Sequence, residues 1–314
     1  MTTVWVRPYE RLRIPQQPEC AFIAGFFDGD GTIDVIRSND GGAGWSLRIR
    51  FGQTRPAALR FLNSFYGHPI HERAPRGTNL QVVHSYEFAA KLMVRAFCED
   101  SEPYVREKRD ITQLALSLLS DERMHLPLAA VEADLARLEA LRDANEGHVV
   151  IAPGQHGKRG RPYTQWMRIR EPTMNEAAYI AGFFDAEGSL QPKAIRGRWW
   201  SIEARVSQVS PDGPSVLQEI FGSPVKFVRE AGRRKPQYRW ELTSKEGVAC
   251  LVADILPYIH EKRPQLILAR KAFESGITNY EDMRAMLEQI RVLNPKTRRP
   301  QPGQYLGQMP PVRP

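Results

Sequence analysis

One property restricts the fold of this chain more than any other: a long stretch of it is written twice. Ala21-Phe22-Ile23-Ala24-Gly25-Phe26-Phe27-Asp28-Gly29-Asp30-Gly31 returns as Ala178-Tyr179-Ile180-Ala181-Gly182-Phe183-Phe184-Asp185-Ala186-Glu187-Gly188, with Ile23 and Ile180 157 positions apart. Trp45 to Gln53 returns as Trp200 to Gln208 at a spacing of 155, and Glu102 to Arg109 as Leu256 to Arg263 at 154. Three collinear blocks at a nearly constant spacing mean tandem duplication, so the fold must be two copies of one unit. The division that follows is a first repeat over 1–120, a connection over 121–173, a second repeat over 174–293 and a tail over 294–314.

Each copy begins with an apolar helix. Pro18 suits a first helical turn and Asn175 is a natural N-cap, while the glycines of Asp-Gly-Asp-Gly and Asp-Ala-Glu-Gly end the helices. Strict alternation follows: Leu47, Ile49 and Phe51 share one face and Ser46, Arg48 and Arg50 the other, and Ile202, Ala204 and Val206 repeat the apolar face. Further strands are predicted over 79–84 and 237–242, and helices near 86–99, 104–119, 245–255 and 262–274. The fold class is therefore α+β, two tandem αββαββα repeats. Each antiparallel sheet has one face under helices and the other open to solvent. In the connection, Leu128, Val131, Leu135, Leu138 and Leu141 have helical spacing, which reads as an amphipathic brace. The segment 154–162 is basic and glycine-rich, and the tail is rich in proline and arginine.

Charge narrows the partner. Against 36 acidic residues stand 44 Lys and Arg, a net charge of +8 on 314 residues, which favours a polyanion. With 42% hydrophobic residues the chain has material for true cores. Cys20, Cys98 and Cys250 form no C-x-x-C pair and read as reduced thiols, not as a disulfide framework or zinc site. No signal-peptide or membrane-spanning pattern is present, so the expectation is a soluble, intracellular protein with no membrane partner.

The chemistry is expected where the repeated helices end. Ala and Gly at Ala24, Gly25, Ala181 and Gly182 let two helix backbones approach at the short end of the usual range, roughly 8 Å. Packed through these faces, the copies are related by a pseudo-twofold axis, and Asp30 and Glu187 converge at one edge. Two such carboxylates repel by about 4 kcal/mol at ~4 Å and an effective dielectric near 20. A shared proton or a divalent cation relieves this; beside a basic surface the cation is the better answer, and hard oxygen ligands suit Mg²⁺.

On these residues the chain resembles the LAGLIDADG homing endonuclease family, in its single-chain form with two motifs. The nine motif positions fall on Ile23 to Gly31 and Ile180 to Gly188, and the resemblance spans roughly 18–120 and 174–275. It implies a double-strand DNA cutter acting as a monomer, with two or three Mg²⁺ ions shared between Asp30 and Glu187 and with Gly29 and Ala186 in the metal set. It gives Asp28 and Asp185 a structural part at the helix ends. It also implies that Gln53, Gln208, Lys108 and Lys262 contact the water network around the ions. Glu187 departs from the commoner Asp but keeps the carboxylate.

Two sheets of ten-residue strands, each spanning ~33 Å, would follow a duplex of about 20 base pairs. By alternate positions the DNA face comprises Ser46, Arg48, Arg50 and Gln81 in the first copy. In the second it comprises Gln191, Lys193, Glu203, Arg205, Gln237 and Arg239. Arg pairs with guanine edges and Gln with adenine; a phosphate contact or a solvated charge is the equal alternative for each basic residue. Because Arg48 and Arg50 stand opposite Glu203 and Arg205, the half-sites should differ. An intron RNA maturase and a cleavage-inactive DNA-binding protein are the rival readings on the same fold. An EF-hand beginning at Asp28 is excluded by Ile33 at its required glycine, and His68-x-x-His71 lacks further ligands.

Overall fold

The computed structural model describes residues 11–38, 44–74, 82–147, 168–228 and 236–293. The first half runs α1 (Gln17–Asp30), β1 (Gly31–Arg37), β2 (Trp45–Gln53), α2 (Ala57–Tyr66), β3 (Ile70–Arg73), β4 (Val83–Phe88) and α3 (Lys91–Ser101). Two more helices follow, α4 (Arg109–Leu118) and α5 (Leu128–Gly147). The second half repeats the order with α6 (Met174–Glu187), β5 (Gly188–Ile195), β6 (Trp199–Gln208), α7 (Asp212–Phe221), β7 (Lys226–Val228) and β8 (Gln237–Leu242). It closes with α8 (Lys245–Ile255), α9 (Arg263–Glu274) and α10 (Tyr280–Val292). Each half thus holds the αββαββα unit and two further helices. The four-stranded antiparallel sheets have orders β1-β2-β4-β3 and β5-β6-β8-β7.

The amphipathic helix expected in the connection is α5, with Val131, Leu135 and Leu138 buried. It has a counterpart: in α10 the buried residues are Met283, Leu287 and Ile290, each 152 positions later. The duplication therefore runs through these helices, where only the apolar spacing survives. The two pack equivalently, α5 on α4 and β1, α10 on α9 and β5.

Three local readings are corrected. The cap of α6 is Thr173, not Asn175. The Glu176 N–H donates to Thr173 Oγ1 (3.2 Å) and the Thr173 N–H to Glu176 Oε2 (2.8 Å), a reciprocal capping box. The strand predicted over 79–84 lies at Val83–Phe88, where Tyr86 and Phe88 face the core opposite Phe51 and Ile49; the helix predicted from 86 accordingly starts at Lys91. Gly31 and Gly188 end their helices in extended conformation (φ −83° and −75°), not left-handed. What they avoid is a clash, since a Cβ at either would sit 2.1 or 2.3 Å from the ring of Phe27 or Phe184.

Trp45, Leu47, Ile49 and Phe51 of β2 point into the core, as do Trp200, Ile202, Ala204 and Val206 of β6. The buried indole N–H groups of Trp45 and Trp200 donate to Leu126 O (3.0 Å) and Ile277 O (2.8 Å). Lys91 and Lys245 lie over the same two rings. The opposite faces of both sheets carry the polar register and, among the described residues, are not covered by a helix.

Candidate functional site

α1 and α6 cross at the centre of the molecule with almost no space between their backbones. A Cβ at Gly25 would lie 2.0 Å from the Tyr179 carbonyl oxygen; one at Gly182 would lie 2.1 Å from that of Phe22. Phe22 and Tyr179 occupy the same repeat position, so the contact is reciprocal, as the pseudo-twofold relation requires. The helices stay together to their ends. A Cβ at Gly29 would meet Ala186 Cβ at 2.2 Å and Glu187 Cγ at 3.4 Å, so the Glu187 side chain lies beside the residue preceding Asp30.

The two acids of each motif do different things. Asp28 and Asp185 are buried. Asp28 accepts from the N–H groups of Arg106 (2.7 Å) and Lys108 (3.0 Å) and from the Tyr179 hydroxyl (2.8 Å). Asp185 accepts from the N–H groups of His260 (2.7 Å), Glu261 (2.9 Å) and Lys262 (2.8 Å). These carboxylates tie each motif helix to the turn before α4 or α9, satisfying backbone donors that burial would otherwise orphan. Burial pushes both carboxyls above the ordinary range, opposed by the neighbouring lysine and the donated N–H groups.

Asp30, by contrast, lines a cleft of about 320 Å³ together with Gly29, Thr32, Glu107, Lys108, Arg142 and Gln208. Gln53 donates its amide to the Asp30 carboxylate. Gln208 turns its carbonyl to the Val209 N–H (2.8 Å) and reaches this cleft from the other half. Lys108 donates to the last carbonyls of α1, at Phe27 (2.6 Å) and Asp28, and Lys262 to Asp185 O in α6. Both ammoniums sit where the helix dipole is negative, next to the motif acids.

The glutamates before these lysines cross between the halves. Glu107 Oε1 accepts from Gly213 N–H (3.2 Å) in the first turn of α7, and Glu261 Oε2 from Ala57 N–H (3.2 Å) in the first turn of α2. Each half thus caps a helix of the other. Burial, with Asp28 and Glu187 nearby, drives the Glu107 carboxyl well above its usual range.

The open sheet faces carry the expected residues, but their charges are already paired. In the first sheet Asp34 of β1 receives Arg48 (3.2 Å) and Arg50 (3.3 Å), and Ser46 donates to Ala89 O. In the second, Glu203 receives Lys193 and Arg205, Glu241 receives Arg205 (2.9 Å) and Lys226 (3.7 Å), and Arg239 donates to Ser207 Oγ (3.3 Å). Gln191 pairs across the strands with Glu203, and Gln237 with Val228, on this same face. Gln81, the 154–162 segment and the tail lie outside the described residues. Among the described residues no group of three or more His, Cys, Asp or Glu is gathered into a metal cage, and no helix is long and apolar enough to cross a membrane.

No family model matches the sequence, and no curated protein matches it. Solved structures do. The meganuclease I-SmaMI bound to uncleavable DNA superposes with a TM-score of 0.58 at 16% identity, over 88% of this chain and 98% of that one. The LAGLIDADG meganuclease I-AabMI bound to uncleaved DNA gives 0.58 at 17%, over 87% and 98%. The homing endonuclease I-GzeII in complex with its DNA target gives 0.57 at 14%, over 89% and 98%. This chain has the two-repeat LAGLIDADG endonuclease fold.

Within the LAGLIDADG fold, three features escaped the sequence. Asp34 sits in β1 with Thr32 and Ile36, opposite Arg50, Arg48 and Ser46; its signal was the period-two pattern of Thr32, Asp34 and Ile36. Glu107 and Glu261 stood in a repeated Glu-Lys-Arg triplet, but a bond between halves leaves no trace in either copy alone. Arg142 belongs to neither motif.

Proposed function

We propose that this protein is a site-specific DNA endonuclease that makes a double-strand break in a long, asymmetric target by divalent-metal-dependent hydrolysis. The observation that carries the reading is the joint ending of α1 and α6, which sets Asp30 and the Glu187 side chain at neighbouring positions between two open sheets bearing arginines. A duplex laid along both sheets meets these acids at its centre.

The donor set fits Mg²⁺. Two carboxylates are too few for a protein cage but suit an ion that keeps waters and completes its shell with substrate phosphate. Asp30 and Glu187 would hold it, with the Gly29 and Ala186 backbone beside them. When bound, such ions lower the pKa of an attacking water and neutralise charge on the phosphate and the departing 3′ oxygen. The chain's own residues supply the rest. Gln53 fixes the orientation of the Asp30 carboxylate, Lys108 and Lys262 place positive charge against the helix ends, and the paired arginines hold the DNA in register.

The test separates binding from cutting. A target is recovered by in vitro selection and cleavage is measured with Mg²⁺, binding without it. Asp30→Asn and Glu187→Gln are expected each to reduce cutting at least 100-fold, roughly the loss of one essential electrostatic contact, with binding retained. Cutting that survives both substitutions would remove the assignment. Binding by the wild type without any cutting would make the protein a DNA-binding member of the fold.

A further inference from the structure

The polar register of the second open face ends on an apolar pair. Ile195 and Trp199 are cross-strand partners at the tip of the β5–β6 hairpin, one step outward from Ala194 and Trp200. The Trp200 ring points into the core, so the alternation of the strand turns Trp199 to the open side, and Ile195 with it. The two are 44% (Ile195) and 53% (Trp199) exposed. Two large apolar side chains thus stand in water on a face that β5 and β6 otherwise line with residues such as Gln191, Lys193, Glu203 and Arg205.

The hairpin holds them in place. The Tyr280 N–H donates to Arg198 O (2.9 Å) and Trp199 bridges to Asn279, tying the tip to the start of α10. Between the pair lie Arg196, Gly197 and Arg198, all exposed. Arg196 has φ +51° and is, among the described residues, the one non-glycine in the left-handed region. Glycine or asparagine adopts that conformation more readily than arginine, so the tip keeps its guanidinium at a cost to the backbone. A basic, rigid tip with an exposed indole suits a polyanion that also offers apolar groups. Duplex DNA seen from its major groove is such a surface, with phosphates at the rims and the thymine C5-methyl as the apolar group among the base edges.

The first copy has no such pair. The same places are held by Ser38 and Gly44, 157 and 155 positions earlier. They too face each other across the strands, since a Cβ at Gly44 would lie 3.6 Å from that of Ser38. The apolar contact is therefore confined to one half of the target.

We propose that Ile195 and Trp199 read thymine in the outer part of the second half-site, closing on its C5-methyl group while Arg196 and Arg198 meet the flanking phosphates. Their ligand rests on the DNA-endonuclease reading. Ile195 ends β5, which starts at Gly188 beside Glu187. At ~3.3 Å per residue the tip lies ~23 Å from the motif acids, about six to eight base pairs from the centre of the target.

The test uses the full chain and the duplex recovered by selection. Binding is measured without divalent ions on that duplex and on versions in which deoxyuridine replaces thymidine at single positions, removing only the methyl group. For the wild type, replacement at the predicted distance in the second half-site should weaken binding about fourfold, the worth of one buried methyl. Replacement at the matching distance in the first half-site should not. Trp199→Ala should bind the thymidine and deoxyuridine duplexes alike, and Trp199→Phe should keep the difference. Absence of thymine there, a wild type indifferent to deoxyuridine, or a Trp199→Ala protein that stays sensitive would overturn the inference and leave the endonuclease reading standing. Sedimentation without DNA checks the other occupant, a second copy of the chain: self-association that Trp199→Ala abolishes would also overturn it. Were selection to return no duplex at all, the DNA reading would fall and the thymine contact with it. Were the wild type to bind without cutting, only the nuclease step would fall, and the deoxyuridine comparison would still decide.

Discussion

Asp28 and Asp30 are two residues apart, and so are Asp185 and Glu187, yet one of each pair is sealed in backbone N–H donors and the other stands at a cleft or beside its partner helix. The division follows from helix geometry: two positions turn the side chain by ~200°, to the opposite side of the helix. His260 extends the same contrast. Its ring stacks on Phe61 (4.0 Å) and meets the Phe22 edge (4.7 Å) across the halves, and burial, aided by Arg263, lowers its pKa to about 4. The folded protein therefore holds it neutral where the unfolded chain, at 6.5, already binds a proton. The stability it contributes is complete above pH 6.5 and is lost as pH falls from 6.5 towards 4. A shift of this size is worth about 3 kcal/mol in full, and nearer 2 for a ring that is not completely enclosed. Comparing melting temperatures at pH 7.5 and 4.5, His260→Phe should show a smaller drop than wild type; an equal drop would contradict the assignment. The motif acids were legible in the sequence because both copies carry them. The ring contacts of His260 were not, because they join a residue of one copy to two of the other.

At the scale of elements, α1 and α6 were readable from alternation of small and large apolar residues, and β2, β6, β8 and α8 from strict period or bounded length. The misplaced β4 has a simple cause: Tyr86 and Phe88 sit at strand spacing but also continue the apolar pattern of α3, and only pairing with β2 decides. The closeness of α1 and α6 yields a prediction of its own. Gly25→Ala and Gly182→Ala each drive a methyl group into a carbonyl oxygen about 2 Å away, and overpacking of this kind costs roughly 1–3 kcal/mol or more. Urea unfolding should show a loss of at least about 2 kcal/mol for each. A neutral result at either position would mean that the helices are not in backbone contact.

For the whole molecule, the duplication, the basic balance and the close packing of α1 on α6 were visible at the outset, whereas the side-chain bonds that cross from one half to the other had to come from the fold. Asymmetry is the main functional consequence. The first open face pairs two arginines with Asp34, while the second sets Glu203 and Glu241 among Lys193, Arg205 and Lys226. Binding-site selection should therefore return two unlike half-sites, and a strict palindrome would contradict the assigned reading faces. Removing Glu203 by Glu203→Gln should alter preferences in the second half-site alone. The reciprocal caps by Glu107 and Glu261 carry a further implication. Ties between the halves include the two glycines, the Glu107 and Glu261 caps, the bond from the Tyr179 hydroxyl to Asp28 and the packing of His260 on Phe22 and Phe61, and these lie away from the open sheet faces that would read sequence. A hybrid carrying the second half of a different protein of this architecture needs to keep these contacts to assemble, leaving each recognition surface free to change by itself.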